Sequence, residues 1–350
     1  MAVIHLPSLF KNTEEFIKEH IKNGKADDVM LSVGTLDGQS YRFFHSKRGD
    51  VLNEKTLCDM MSVTKILATT PLCLMAIDEG LLRLDDTLGK FFPYAPEDKR
   101  DITVLQMLTH QSGMSHCFVK PTFGPFDKDE AAQFQLNRPL AAEPGERFIY
   151  CCNNMILLAF VLEKLYRKPL DLLFCERIAY PLDMRRTRYL CRDAENSILC
   201  TLTPWTGENM CCDPSARRLG GVAGHAGIFS CLEDMEKFAL SLLCGHAPLV
   251  SERTFALARK NHTAHLSESR GIGYVYVDSR YAQTGRLFSE GSLGHCGHSG
   301  TSVFVDNEKG MYVVALSNTT RLAEEKKLGY GPTMQFRADL HNAIADDLGI

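Results

Sequence analysis

Ser62 and Lys65 stand three positions apart in the run Asp59-Met60-Met61-Ser62-Val63-Thr64-Lys65-Ile66-Leu67-Ala68, which is otherwise largely apolar. Residues at this separation share one face of a helix, so the lysine amine would lie beside the serine hydroxyl. A serine hydroxyl is a weak nucleophile at neutral pH and must lose its proton as it attacks. A buried lysine is expected to take that proton, because loss of solvent lowers an amine's pKa toward neutrality. A serine in the first turn would also feel the positive end of the helix dipole, which favours developing negative charge. Spacing alone favours an N-capping serine beside a solvated lysine, since a chain of this length holds about one or two such pairs by chance. Ser8-Leu9-Phe10-Lys11 is a second instance, but it follows Pro7 near a chain terminus and leads into the cap of another helix.

Acyl transfer from a lysine-activated serine needs two further parts, a proton donor for the leaving group and donors for an oxyanion. Pro144-Gly145-Glu146-Arg147-Phe148-Ile149-Tyr150-Cys151-Cys152 places a tyrosine just before a helix, where its phenol can point into a cleft. Gly294-His295-Cys296-Gly297-His298-Ser299-Gly300-Thr301 sets two histidines among three glycines at the expected start of a strand, where backbone N–H groups can approach a ligand closely. The alternative for Tyr150 is a core aromatic with a satisfied hydroxyl. His110 and His225 read as loop-holding residues, and Cys151 and Cys152 as buried thiols.

The elements that must carry these residues follow from periodicity. Residues 12–23 have helical apolar spacing, and 29–36 and 41–45 are strand-like runs joined by Asp37-Gly38, a hairpin turn. The helix after Ser62 runs toward Glu79 with Gly80 as its stop, and Pro71 should kink or divide it. From Leu81 to about Pro181 the pattern is mainly helical, including 104–108 and 154–166, with a loop at 110–124. Residues 199–226 read as one long loop. Its Gly220-Gly221-Val222-Ala223-Gly224 lacks the preceding strand and the spacing of a nucleotide-binding turn. A helix is expected at 233–243, strands at 271–277, 301–306 and 311–317, and a final helix at 333–348. The fold class is therefore α+β: an antiparallel sheet built from both chain ends and flanked by helices, with an inserted all-helical lobe. The α/β lobe takes about 1–80 and 245–350, and the helical lobe and loops about 81–244, as one catalytic unit over 1–350.

Lys plus Arg number 39 against 43 Asp plus Glu, a net charge of -4, with no dense basic stripe suited to a phosphate backbone. Nucleic acid is an unexpected partner. Residues 1–6 lack a basic segment and a cleavage site, and no stretch gives eighteen uninterrupted apolar residues, so neither export nor a membrane span is expected. Thirteen cysteines, an odd number in a large chain, fit reduced thiols and a cytoplasmic location. With no Cys-Xaa-Xaa-Cys and only adjacent pairs, no metal and no cofactor are expected.

From about Asp28 to Asn318 the chain resembles the serine β-lactamase and penicillin-binding-protein superfamily, in particular its class C-like esterases and D-amino-acid peptidases. Three stretches carry the resemblance: Ser62-Val63-Thr64-Lys65, the segment from Ile102 to Met114, and Leu219-Gly220-Gly221-Val222-Ala223-Gly224-His225-Ala226-Gly227-Ile228-Phe229. The resemblance implies an antiparallel sheet with a helical lobe and an acyl-enzyme on Ser62. It makes Lys65 the amine that helps deprotonate Ser62, and Tyr150 the proton relay of a Tyr-Xaa-Asn motif. His295-Cys296-Gly297 would stand for the Lys-Thr-Gly or His-Thr-Gly motif, and the backbone N–H groups of Ser62 and His298 would form the oxyanion hole. The chain departs from the family at Cys152, where an Asn or Asp usually contacts the lysine and the substrate amide; a thiol is a weaker hydrogen-bonding group. The expected substrate is a small ester or amide, with a D-peptide or β-lactam as alternative, and a non-catalytic binding protein of the same fold as the reading from another class. The sequence leaves the oligomeric state open.

Overall fold

The computed structural model describes residues 4–115, 127–191, 197–198 and 211–350. Its frame is one antiparallel sheet of six strands in the order β2-β1-β8-β7-β6-β5. These strands are β1 (Asp28–Thr35), β2 (Ser40–Ser46), β5 (Val275–Tyr276), β6 (Leu293–Cys296), β7 (Ser302–Asp306) and β8 (Met311–Ser317). The two short strands β3 (Cys58–Asp59) and β4 (Phe229–Ser230) pair with each other apart from this sheet. β1 and β8 lie side by side, Val29 opposite Ser317 and Thr35 opposite Met311, so the two ends of the chain close the sheet.

Alternation along β1 explains why it is buried along its whole length. Val29, Leu31 and Val33 turn toward one side, where Ile17 and Ile21 of helix α1 (Lys11–Lys22) meet Phe336, Leu340 and Ile344 of the last helix, Gly331–Leu348. Met30 turns to the other side, with Val303, Val305, Val314 and Leu316. That side of the sheet packs against helices that include α2 (Thr70–Asp78), α3 (Val104–Leu108), α4 (Cys152–Tyr166) and α5 (Leu232–Leu243). Each fully buried large aliphatic or aromatic side chain contributes about 1.5–3 kcal/mol, so the two apolar layers hold the sheet between them.

The segment carrying Ser62 runs through this core. Met61–Asp78 is long and apolar enough to cross a membrane by length and composition, and 83% of that stretch is buried inside the protein. It is not one regular helix. Met61–Val63 is a 3-10 turn, Lys65–Thr69 a π-helical turn, and α2 begins only at Thr70, with Pro71 in its first turn. Pro71 has no N–H to give, and the break expected there takes the form of the wide turn just ahead of it.

Two strand expectations need correction. The run 271–277 forms only the two-residue β5, because Gly271 and Gly273 break it: a Cβ on either would strike Ala258 O at 2.5 Å or Thr70 Oγ1 at 2.1 Å. The His295-Cys296-Gly297 stretch does not open a strand but ends one. β6 precedes it, paired with β7 from Leu293 opposite Val305 to Cys296 opposite Ser302. Gly294 hid that strand from propensity, yet it is needed, since a Cβ there would meet Phe304 at 2.3 Å. The long loop at 199–226 contains a short helix, Pro214–Arg218. Residues 199–210 of that loop, and 116–124 of the loop after His110, lie outside the described residues.

Candidate active site

Ser62 sits on the 3-10 turn that starts the buried helical segment, directly after Met61, whose φ is 50°. A methionine in the left-handed region is strained, and the surroundings must hold it there. The Met61 N–H donates to Asp59 Oδ1 at 2.8 Å, and Asp59 Oδ2 accepts from Cys212 N at 2.7 Å. Burial pushes the Asp59 carboxyl up to about 6, against the two N–H groups that favour its charged form. Met60 N donates to Ile228 O at 2.9 Å, and β3 pairs with β4 next to it, so the serine's turn is tied to the Gly-rich segment.

The Lys65 ammonium is fully buried, and its contacts include Ser62 Oγ at 2.9 Å, Cys152 Sγ at 3.4 Å and the His225 carbonyl oxygen at 3.3 Å. Its nitrogen also lies 5.0 Å from the centre of the Tyr150 ring. Tyr150 is brought in by the turn after α3. Thr103 caps that helix by accepting from Gln106 N at 3.2 Å, while Gln106 Oε1 accepts from Thr103 N at 2.9 Å. The chain then turns at His110, φ 58°. The His110 carbonyl accepts from Ile149 N at 2.9 Å and its Nδ1 accepts from Cys151 N at 3.2 Å, which clamps both neighbours of Tyr150.

His295 is buried, with its ring centre 6.1 Å from that of Tyr150. Its Nδ1 lies 2.8 Å from the Cys296 carbonyl oxygen, which can only accept, so Nδ1 carries the proton and Nε2 presents a lone pair. Burial, followed by the charges of Lys65 and Arg270, holds its pKa well below the usual histidine value, and the ring is neutral at pH 7. Gly297 lets β6 end against the serine's turn, because a Cβ there would meet Met60 O at 2.8 Å and Met61 Cβ at 3.2 Å. The His298 ring stacks on Tyr330 at 5.0 Å and its Nε2 lies 3.0 Å from Glu324 Oε1, so the side chain is held at the rim. The backbone N–H groups of Ser62 and His298 have no acceptor among the described residues.

Ser62, Tyr150, His295 and His298 therefore face one cavity of about 250 Å³, with Lys65 and Cys152 behind Ser62. Sequence reasoning missed four parts of this site: the His225 carbonyl on Lys65, Asp59 beneath Met61, and the arginines Arg270 and Arg337 in and behind the cavity wall. Arg270 and Arg337 stand outside every stretch singled out in the sequence, whereas Asp59 and His225 lie inside two of them without a pattern that marks these contacts. The His225 ring holds its loop by bonding Asp213 Oδ1 at 2.9 Å. Among the described residues no group of three or more His, Cys, Asp or Glu could hold a metal ion.

The expectation of a depressed lysine pKa is overturned. Burial alone would lower the Lys65 amine, but the Cys152 sulfur and the Tyr150 phenol reverse this and hold it above the ordinary lysine value. Burial likewise raises the Tyr150 phenol, with Lys65 pulling the other way. At neutral pH both groups keep their protons, whereas abstraction of the Ser62 proton requires that one of them has lost its own. Because both pKa values are raised, the competent form grows as pH rises. The expected result is a kcat/KM that climbs with pH from neutrality, by about tenfold per unit for a single proton. A pH–rate profile on an ester that does not itself titrate checks this; a plateau already reached at pH 6 would refute it.

Comparison with known proteins bears on the family and the fold. Residues 20–331 match the family model described as Beta-lactamase. The putative D-alanyl-D-alanine carboxypeptidase of Escherichia coli (strain K12) is 27% identical over 299 residues, covering 75% of this chain and 69% of that protein. The structure of EstCE1, a hydrolase with promiscuous acyltransferase activity, superposes with a TM-score of 0.75 at 21% identity, covering 95% of this chain and 98% of the other. Simvastatin synthase (LovD) from Aspergillus terreus gives 0.71 at 18% identity, covering 95% and 97%.

Proposed function

This chain belongs to the Beta-lactamase family and is a serine hydrolase, and from that premise we propose that it works through an acyl-enzyme on Ser62, acting on esters or amides of small acyl compounds. The observation that carries this reading is the 2.9 Å contact of Lys65 Nζ with Ser62 Oγ, on the wall of a cavity that Tyr150 shares. In the proposed cycle Ser62 Oγ attacks the carbonyl carbon as its proton passes to the Lys65–Tyr150 pair. The carbonyl π bond becomes an oxyanion that accepts from the N–H groups of Ser62 and His298. Collapse expels the leaving group, which takes a proton from Tyr150, and water then releases the acyl group by the same path in reverse. His295, neutral and facing the phenol, keeps that side of the cavity free of a further positive charge.

Ester hydrolysis is the favoured activity, because Cys152 stands on Lys65 where the family amide would orient an amide substrate. D-peptide hydrolysis is the second reading, supported by the name of the Escherichia coli relative. The described cysteines are all free thiols, which supports a reducing compartment such as the cytoplasm.

Incubation with a fluorophosphonate and mapping of the adduct by mass spectrometry is the direct test. One adduct on Ser62, absent from Ser62→Ala, is expected; labelling of another serine, or labelling that survives the substitution, would end the proposal.

A further inference from the structure

We propose that Arg337 is a positioning residue for the oxyanion hole: its buried guanidinium holds and polarises the Gly297–His298 peptide, whose N–H receives the developing oxyanion. The proposal rests on acylation of Ser62 and on the His298 N–H as one of the two oxyanion donors.

Arg337 stands on the last helix, Gly331–Leu348, and is fully buried. Its Nη2 donates to the carbonyl oxygens of Gly297 and Thr301, the second at 3.2 Å. Its Nη1 donates to Gln283 Oε1 at 2.7 Å and to Tyr330 Oη at 2.8 Å. Among the described residues none of these partners is a carboxylate, so no ion pair neutralises the charge. A guanidinium keeps its proton at any working pH, and burying it costs desolvation that an apolar side chain would avoid. A permanent charge kept at this cost behind a cavity wall calls for a group on which its field acts.

That group is one peptide unit. Gly297 O and His298 N–H are the two ends of a planar trans peptide, so they point in opposite directions. The carbonyl faces back toward Arg337, and the N–H therefore faces the cavity that His298 lines. A cation bonded to the carbonyl oxygen draws electron density from the amide nitrogen, which makes the N–H a stronger donor, and hydrogen bonds joined in such a chain reinforce one another. The same contacts fix its direction. Gly297 N donates to Thr301 O at 2.8 Å, Thr320 Oγ1 donates to the His298 carbonyl, and Arg337 ties Gly297 and Thr301 together from behind. Donors aimed in advance at the developing charge need no reorganisation as the reaction proceeds. The second donor has a neutral support: the peptide that carries the Ser62 N–H ends in Met61 O, which accepts from the backbone N–H of Thr64.

The test joins kinetics to a spectrum of the acyl-enzyme. Removing an oxyanion donor outright costs about 10²–10³ in kcat; in Arg337→Met the donor stays but loses its support, so a fall of about 10-fold to 100-fold is expected for 4-nitrophenyl acetate. Because the contact strengthens only in the transition state, kcat and kcat/KM should fall together with KM little changed. The acyl-enzyme left by 4-nitrophenyl trimethylacetate reports the hydrogen bonds on the acyl oxygen directly: its isotope-edited infrared carbonyl band should lie at higher wavenumber in Arg337→Met than in the wild type. Arg337→Lys should recover part of kcat and bring the band part of the way back, since it keeps the charge but has three donors for four acceptors. Should Arg337→Met fail to fold, Arg337→Gln takes its place with the same directions expected; should both fail, Arg337→Lys alone decides, a band above that of the wild type being expected. An unmoved band overturns the proposal even where kcat is lost, because the loss then comes from structure alone, and so does a rise in KM at unchanged kcat. In either case a fluorophosphonate adduct on Ser62, with labelling taken to completion, leaves acylation standing; absence of that adduct from the wild type overturns acylation itself.

Discussion

Replacing Lys65 with alanine lowers kcat/KM for an aryl ester by about 10³-fold, within the range of about 10²–10⁴ that a positioned general base contributes. The substitution removes the one side chain that touches the Ser62 hydroxyl, the Cys152 sulfur and the His225 carbonyl together. Without it the hydroxyl proton has no nearby nitrogen to go to, and Tyr150 loses the charge that opposes its raised pKa. Lys65→Arg should not rescue activity, since a guanidinium cannot give up its proton and its fork does not fit a pocket shaped for one nitrogen. Steady-state hydrolysis alongside a thermal melt separates lost chemistry from lost fold. An alanine variant that melts like the wild type and keeps more than about a tenth of its kcat/KM would exclude Lys65 as the proton acceptor.

Gly224→Ala carries the other large effect, this time through packing. A Cβ at Gly224 would come within 2.1 Å of Met155 O, 2.7 Å of Ala159 Cβ and 2.8 Å of Thr69 Oγ1. Two of these atoms belong to α4 and the third to the π-helical turn after Lys65, and none is the free end of a flexible side chain. The segment must move off α4, which breaks the 2.7 Å bond from Thr69 Oγ1 to Gly224 O and carries the adjoining His225 carbonyl away from Lys65. Overpacking of this kind costs about 1–3 kcal/mol, occasionally more. The variant should therefore melt several degrees lower, and its kcat/KM should fall at least about tenfold as Lys65 loses its carbonyl partner. Gly331→Ala serves as the comparison, because a Cβ there meets nothing within 4 Å and its backbone is not in the left-handed region. Equal melting temperatures for the two variants would refute the packing argument.

What the sequence disclosed depended on how local the determining physics was. The contact between Ser62 and Lys65 spans one helical turn, so spacing allowed it, but the same spacing fits a capping serine beside a solvated lysine and only the resemblance decided between them. β1 and β8 announced themselves through β-branched and apolar runs, and Asp37-Gly38 marked the hairpin. Tyr150 and His295 lie far from Ser62 in the chain, and only the resemblance to a known family drew them together. β6 was invisible because Gly294 and His295 have little strand preference; they are extended because Phe304 and the serine's turn leave room for nothing else. The charge of Lys65 was misjudged for the same reason. Burial can be guessed from an apolar run, but the groups that reverse its effect, Cys152 and Tyr150, arrive from another part of the chain. Arg270 was silent altogether, one basic residue in a polar segment that the fold brings into the cavity wall.

The pairing of β1 with β8 sets the order in which this protein can be made. Val29 finds its partner Ser317 only after the long stretch between them has been synthesised. Until then the β1–β2 hairpin presents one open edge and its apolar residues to the surroundings, and the nascent chain must be kept from pairing elsewhere. Closing so long a loop costs only logarithmically more than closing a short one, yet it must be closed before the contacts across it contribute anything. Pairing at the centre of the sheet thus waits until β8 has been made. Chaperone demand should concentrate on the stretch before β8 emerges, and a chain stopped short of Met311 would carry Ser62 and Lys65 without the central strand of the sheet behind them.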